Sequence, residues 1–333
     1  MKILKKILLG VAVSCSVAGY AQSCTQSCAS CTGQEGKGTD TVPNVYYMKE
    51  VTPENIVKVY EALGRKANGK KIGIKISTGE SNKSNHLDTA LISKFVREVG
   101  GNFVECNTAY NGNRMSTEQH LKTAKEHGFV DLAGVDIMDA EGEMELPVVG
   151  GKHLKKDIVG KNLADYDFLV VLSHFKGHQM GGFGGALKNI SIGIGSTNGK
   201  TYIHTAGKTA NPDSLWNNLP EQKDFIESMA EAAKAVADYE GDHILYINVA
   251  NKLSVDCDCN GNPTPPRMGD LGVLASLDPV ALDRACVDLV KASDDHGKVH
   301  LIERIESRLG TVILDHAEEL GVGKQKYNLV TIE

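Results

Sequence analysis

Apolar runs alternate with helical patterns along most of the chain. Helical spacing of apolar residues predicts helices over 87–100, 116–128 and 221–241. The runs themselves are short and rich in aliphatic residues, which predicts buried strands: KIGIKIS (71–77), NFVEC (102–106), VDIMDA (135–140), FLVVLS (168–173) and HILYINVA (243–250). This alternation predicts an α/β fold with a mixed, largely parallel sheet and helices on both of its faces.

Capping signals mark the ends of several predicted helices. Gly100 follows the last apolar residue of one helix and is expected to end it. Ser116 with Gln119 forms a capping-box pattern. Asp278 with Pro279 combines a good N-cap with a proline at the first helical position.

The first 21 residues have the layout of a secretory signal peptide. Lys2, Lys5 and Lys6 precede an apolar run and the small-residue stretch AGYAQ, which predicts cleavage after Ala21. The run is too short to span a bilayer comfortably, so no stable membrane span is expected. Alternatively, AVSC would place a lipid anchor on Cys15. We therefore expect an exported protein, with the periplasm as its compartment.

Composition separates a short linker from one large domain. Residues 22–45 are rich in Ser, Thr, Gly and Gln and are predicted to be a disordered, cysteine-containing linker. Residues 46–333 then form the α/β domain, in one or two lobes. The 41% hydrophobic and 23% charged residues are typical of globular proteins, and a net charge of −6 argues against nucleic acid as a partner.

The linker carries three cysteines in a CxxxCxxC pattern: Cys24, Cys28 and Cys31. This spacing resembles the iron–sulfur triplet of radical SAM enzymes. No strand precedes it, however, so a thiol tail or a disulfide tether is the favoured interpretation. Cleavage before this segment would leave an odd number of cysteines, so at least one thiol is expected to be free, metal-bound or paired with another chain.

The stretch LSHFKGHQMGGFGGALKNISIGIG (172–195) contains more glycines than a helix interior tolerates, and it follows a predicted strand. We predict a loop there that binds a small-molecule ligand, because sites form where strands of parallel sheets end. His178 and Lys188 are the candidate catalytic residues. The candidate ligand- or cofactor-binding residues are Lys176, Gly181, Gly182, Gly184, Gly185 and Lys188.

A second candidate site is the CxC pair Cys257 and Cys259 in a turn-rich segment. Thiolates bind zinc, copper(I) or iron, whereas two free or disulfide-bonded thiols are the alternative. If His178 or His204 folded nearby, the ligand count would reach three or four. Glu80 and His86 follow the first strand and could line the same sheet edge, but a solvated loop is the favoured interpretation for both. Asp278 and Asp283 are expected to be structural residues of a helix.

Three stretches together resemble a known family. HFKGHQMGGFGGALKNISIG, VDCDC and LGVLASLDPVALDRACVDLV are similar to domain-of-unknown-function family 362, over roughly residues 70–330. Members of that family are often fused to ferredoxin-type cluster motifs, but the family name implies no particular reaction.

A more distant similarity is to the lactate racemase family, which has a His, a GG-x-K and a later His around a glycine-rich turn. That resemblance implies Lys188 as the tether of a nickel-pincer nucleotide, His204 as the nickel ligand and His178 as the acid–base. Asn113 stands where that family has its other acid–base histidine.

The predicted signal peptide has no twin-arginine pair, so the protein is expected to be exported in an unfolded state. Unfolded export argues against nickel-pincer and iron–sulfur cofactors assembled in the cytoplasm. Three functions therefore remain: a metal-dependent enzyme (zinc, iron or nickel) acting on a small acidic substrate, a non-catalytic metal or iron–sulfur electron-transfer protein, and an anion-binding protein.

Overall fold

A computed structural model of the protein describes residues 41–333. The predicted signal peptide, Cys15 and the cysteines Cys24, Cys28 and Cys31 lie outside these residues. The first strand begins at Asn44, slightly before the expected domain boundary at residue 46. Within residues 41–333, no helix is both long and apolar enough to cross a membrane.

The described residues contain strands of three to seven residues. Their bounds are β1 (Asn44–Met48), β2 (Ile72–Lys75), β3 (Asn102–Glu105), β4 (Val135–Ile137), β5 (Glu143–Pro147), β6 (Lys156–Gly160), β7 (Phe168–His174), β8 (Lys176–His178), β9 (Gly182–Gly184), β10 (Ile244–Ala250), β11 (Gly272–Ser276) and β12 (Asn328–Thr331).

Helices connect most of these strands. Their bounds are α1 (Pro53–Ala62), α2 (Thr89–Val99), α3 (Thr117–Glu126), α4 (Phe129–Ala133), α5 (Ala186–Ile190), α6 (Thr197–His204), α7 (Gln222–Glu240), α8 (Pro279–Ala292), α9 (Lys298–Ser307) and α10 (Val312–Glu319). Two short 3₁₀ helices lie at Lys161–Asp165 and Pro212–Asn217.

Eight strands form one sheet in the order β12-β1-β11-β10-β7-β2-β3-β4. Strands β10, β7, β2, β3 and β4 are mutually parallel, whereas β11 runs antiparallel to both β10 and β1. The predicted mixed, largely parallel sheet is therefore confirmed. The hairpins β5–β6 and β8–β9 lie outside it.

Both faces of the sheet are buried, which explains why its strands are continuous apolar runs. In β7, Leu169 and Val171 belong to one hydrophobic cluster, with residues of α5, α7 and α8. Phe168, Val170 and Leu172 belong to the other cluster, with residues of α1 and α2. Burying each such side chain contributes about 1.5–3 kcal/mol, so this central strand stabilises both layers.

The capping signals occupy the expected positions. Gly100 ends α2 in the left-handed region, with φ of 71°. The side chain of Ser116 accepts from the backbone N–H of Gln119. Asp278 accepts from Val280 and Ala281 at the start of α8, with Pro279 at its first position.

The glycine-rich stretch, in contrast, is more ordered than the predicted loop. It continues β7, forms the β8–β9 hairpin and then the short helix α5. Helix α5 is stabilised from outside the stretch, because the buried Asp283 carboxylate accepts from the backbone N–H groups of Ala186 (2.7 Å) and Leu187 (3.0 Å). Glycine is required at position 185, since a Cβ there would lie 2.3 Å from Asp283 Oδ1.

Candidate functional site

A small pocket lies at the carboxyl ends of β2, β3 and β7. From β2 the chain continues to β3 and β4 on one side, while β7 lies on its other side, so the pocket is at a topological switch point of the sheet. Its cavity volume is about 90 Å³. Pockets for drug-sized molecules start at about 300 Å³, so the space suits a ligand of few heavy atoms rather than a nucleotide.

Positive charge dominates the pocket wall. Five basic side chains and two acidic ones, Glu105 and Asp258, line it; the basic ones are Lys75, Arg114, Lys176, Lys188 and Lys200. Burial in such surroundings penalises unpaired charge, so the partners of each cation determine what the pocket can bind.

Glu105, at the end of β3, is the centre of a buried network of hydrogen bonds and ion pairs in the pocket wall. Its carboxylate accepts from Arg114 Nη1 (3.1 Å) and the Thr78 backbone N–H (2.9 Å), and it lies 3.1 Å from His120 Nε2. The positive charges of its neighbours keep the pKa of Glu105 well below its usual value despite burial. Arg114 also donates from Nε to Glu80, which is buried rather than in the solvated loop expected from the sequence.

Two further lysines are held by carbonyl oxygens. Lys75 Nζ donates to the backbone oxygen of Ile76 and to Asn189 Oδ1 (3.0 Å). Burial lowers the pKa of Lys75 to about 8. Lys200 Nζ donates to the backbone oxygens of Gly195 (2.5 Å) and Cys106 (3.4 Å).

Asp258 is the second carboxylate that lines the pocket. It forms a buried ion pair with Lys176, whose Nζ also donates to the Asn85 backbone oxygen (2.9 Å). His174 Nδ1 lies 3.3 Å from the same carboxylate, and its Nε2 is 2.7 Å from the Asn251 backbone oxygen. Lys176, predicted to bind ligand, thus lines the pocket with its charge already paired.

Lys188 differs from the other four cations. No hydrogen bond or ion pair involves its Nζ within residues 41–333, although the side chain is largely enclosed. Burial lowers its pKa to about 7, and the positive charges of Lys75 and Arg114 lower it further than Asp258 raises it. At neutral pH, the amine is therefore present in both its charged and its neutral form.

The CxC pair forms a disulfide bond in the pocket wall. Cys257 and Cys259 are joined directly, and both border the cavity. His178 lies behind them, with its Nε2 3.9 Å from Cys259 Sγ and its Nδ1 accepting from the Gly181 backbone N–H (2.7 Å). Burial keeps the pKa of His178 well below its usual value, so the ring is neutral with its proton on Nε2.

Two groups of side chains in the described region place ligand-type atoms within 4.8 Å of one another: His178 with Cys257 and Cys259, and His153 with Asp224 and Glu227. In the first group the sulfurs are bonded to each other, and the hydrogen bond from Gly181 leaves the Nε2 of His178 protonated. This arrangement does not fit a bound metal ion, which needs deprotonated ligands.

The structure separates several predicted site residues from the pocket. His204 donates from Nδ1 to the Lys200 backbone oxygen (2.6 Å) and stacks on Phe225, and it does not border the cavity. Gly184 and Gly185 line the pocket, but Gly181 and Gly182 do not. A Cβ at Gly182 would lie 2.8 Å from the Cα of Gly310. Glycine at position 182 therefore lets two chain segments pack closely, and it does not contact a ligand in the pocket.

Sequence reasoning missed the residues that shape the pocket's charge: Lys75, Glu105, Arg114, Lys200 and Asp258. Lys75 and Glu105 are the last residues of β2 and β3. A charged residue at the end of an apolar strand is the sequence feature that could have identified both as pocket residues. Asp283 was expected to decorate its own helix, but it caps α5 and accepts from Asn248 instead.

Fold and site together define an α/β protein with a cationic pocket at the switch point of its sheet. Residues 72–288 match the family model described as a domain of unknown function (DUF362), and the chain belongs to this family. The matched range runs from β2 into α8 and includes every pocket residue named above. No curated protein matches the chain.

Among solved structures, the chain is similar to the lactate racemase apoprotein from Thermoanaerobacterium thermosaccharolyticum, with 19% identity and a TM-score of 0.37. That match covers 62% of this chain and 50% of the racemase chain. A protein from Thermotoga maritima is similar at 11% identity and a TM-score of 0.41, covering 82% of this chain and 61% of that one. This chain thus spans about half the length of the racemase chain.

Proposed function

We propose that the protein is an enzyme that acts on a small carboxylate- or phosphate-bearing substrate, with Lys188 as the residue that binds it and moves a proton. The observation that carries this proposal is the state of Lys188. Its amine borders the pocket without a protein partner in the described region, whereas the other four cations are each hydrogen-bonded or paired.

An anionic ligand supplies the charge that the pocket lacks. The two acidic side chains of the wall are already used, Glu105 by Arg114 and Asp258 by Lys176. A carboxylate or phosphate next to Lys188 would form a charge-assisted hydrogen bond in an enclosed site. Such bonds are stronger than hydrogen bonds between neutral groups. The cavity volume of about 90 Å³ limits that ligand to a few heavy atoms.

The proton-transfer role follows from the pKa of Lys188. An amine with a pKa of about 7 is partly neutral at physiological pH. Its charged form attracts the anionic group of the substrate, whereas its neutral form can still donate an N–H hydrogen bond to that group and accept a proton from the neighbouring carbon. Lys75, whose pKa burial lowers to about 8, is not equivalent to Lys188, because its amine donates to the oxygens of Ile76 and Asn189. Proton abstraction next to a carboxylate is the reaction class this arrangement supports.

We further propose that the protein works outside the cytoplasm, in the periplasm. The signal-peptide pattern of residues 1–21 supports this proposal, as does the Cys257–Cys259 disulfide, since oxidising compartments preserve such bonds. Fractionation of cells expressing the full chain, with the mass of the secreted product, would test it. A full-length cytoplasmic product would refute it.

Proton abstraction can be tested without knowing the product. The protein is incubated in D₂O with a panel of small α-substituted carboxylates, and loss of each α-proton signal is followed by ¹H NMR. We expect exchange for at least one compound in the wild type and none in Lys188→Met. The control Lys122→Met changes a lysine whose side chain is 77% exposed on α3 and must exchange like the wild type. Equal exchange in all three proteins would refute the role of Lys188.

A further inference from the structure

The Cys257–Cys259 disulfide is the other reactive group that borders the pocket, and proton transfer at Lys188 does not use it. Cys259 is partly exposed, whereas Cys257 is 7% exposed. A thiol entering the pocket would therefore meet the sulfur of Cys259. The remaining cysteines of the described region are buried thiols without a disulfide, Cys106 and Cys286.

The segment around the disulfide is held from several sides. Between the two cysteines, Asp258 is fixed by its ion pair with Lys176, and its backbone oxygen accepts from the Glu80 N–H (2.9 Å). The Asn260 N–H donates to the Cys257 backbone oxygen (3.0 Å). These contacts do not involve the sulfurs, so the bond can open while the segment keeps its position.

The surroundings also stabilise a sulfur anion. The protonated Nε2 of His178 faces Cys259 Sγ, because Nδ1 is occupied by the Gly181 N–H. Positive side chains line the same cavity, including Lys188. Nearby positive charge and hydrogen-bond donors favour the thiolate form of a cysteine and make it a better leaving group. Cys106 is the contrast, since burial raises its pKa to about 12.

We propose that Cys257–Cys259 is a thiol–disulfide exchange centre whose reaction partner is a small thiol that carries a carboxylate. The choice of partner rests on the proposed function, because it needs Lys188 to hold the anionic group. The small cavity limits the partner to a few heavy atoms. The disulfide that borders the cavity requires that one of these atoms be a thiol sulfur able to reach Cys259.

The exchange consists of two displacements. The partner's thiolate attacks Cys259 Sγ, a mixed disulfide forms, the Sγ–Sγ bond breaks and Cys257 leaves as a thiolate. A second partner thiolate attacks the partner's sulfur in that mixed disulfide and releases Cys259 as a thiolate, to which His178 Nε2–H donates. Two thiols become one small disulfide, the protein disulfide gains two electrons, and the two thiol protons pass to Cys257 and Cys259.

The test compares two thiols that differ in charge. The full protein is treated with mercaptoacetate or with 2-mercaptoethanol, and opening of the disulfide is timed by alkylation and peptide mapping, so that Cys24, Cys28 and Cys31 are scored separately. Each rate is divided by that thiol's rate with a small reference disulfide. We expect a normalised preference of about tenfold for mercaptoacetate, as one charge-assisted hydrogen bond would give.

Variants separate this inference from the proposed function. Lys188→Met should abolish the preference for mercaptoacetate, while Lys122→Met should keep it. Treated instead with the disulfide of mercaptoacetate, Cys257→Ser should accumulate a mixed disulfide on its free Cys259 and release one mercaptoacetate thiolate, whereas Cys286→Ser, which keeps the Cys257–Cys259 disulfide, should not. Equal normalised rates for the two thiols, in a protein that still binds acetate through Lys188, would overturn the exchange proposal alone. Failure of the wild-type protein to bind acetate would count against the proposed function itself.

Discussion

Replacing Lys188 by methionine should stabilise the fold while it removes the proposed function. Methionine is unbranched like lysine and only one atom shorter, and it has no charge to desolvate. Each unit of pKa corresponds to 1.36 kcal/mol, so the fall from 10.5 to about 7 sets an upper limit of about 5 kcal/mol on the gain. Because the side chain retains some contact with water in the pocket, we expect about 1–3 kcal/mol.

The size of this stabilisation depends on pH. The folded protein binds the Lys188 proton more weakly than the unfolded chain does, so wild-type stability rises as pH increases from about 7 towards 10.5. The advantage of Lys188→Met should therefore be largest near pH 6 and should shrink towards pH 10.

Urea unfolding of both proteins between pH 6 and pH 10 measures this difference, with Lys122→Met as the surface control. A Lys188→Met variant that is less stable than the wild type at pH 6 would refute the reasoning. It would mean that the amine has a partner in the folded protein, and that its charge stabilises the pocket.

Three further substitutions test other parts of the structure. Asp157 is buried in β6 without a hydrogen-bond partner for its carboxylate, and burial raises its pKa to about 8; thermal melts should show that wild-type stability falls relative to that of Asp157→Asn as pH rises from about 4 to 8. Glu105→Gln removes one of the two carboxylates paired with Arg114 and leaves Glu80 as the other, so urea unfolding should show a loss of about 1–3 kcal/mol, and an unchanged midpoint would contradict the network. Gly185→Ala forces a Cβ against Asp283; we expect a loss of at least about 1 kcal/mol together with weaker acetate binding, and wild-type values for both would show that the close packing is not needed.

The sheet was predictable because strands that are buried on both faces appear in the sequence as continuous apolar runs. Strands such as β7 and β10 must be apolar at consecutive positions, and that pattern is readable without knowing their neighbours. The helix ends were predictable for a similar reason, since Ser116 and Asp278 cap the helices that directly follow them.

The charge balance of the pocket was not predictable in this way. Lys75 and Glu105 line the same pocket because β2 and β3 are neighbours in the sheet, and Asp258 reaches Lys176 from a loop 82 residues away in the chain. Asp283 caps a helix nearly one hundred residues before it, at a separation of 97 from Ala186. Lys188 was identified as a candidate, but its lack of a partner is a property of the folded pocket.

The most direct test of the central claim is the binding of a small anion to wild-type protein, Lys188→Met and Lys122→Met. Titration with ¹³C-labelled acetate, followed by NMR at pH 6.5 and at pH 8.5, measures it. We expect saturable binding to wild type and Lys122→Met at pH 6.5, weaker binding to both at pH 8.5 as the amine loses its proton, and none to Lys188→Met at either pH. Equal, pH-independent binding to all three proteins would contradict it.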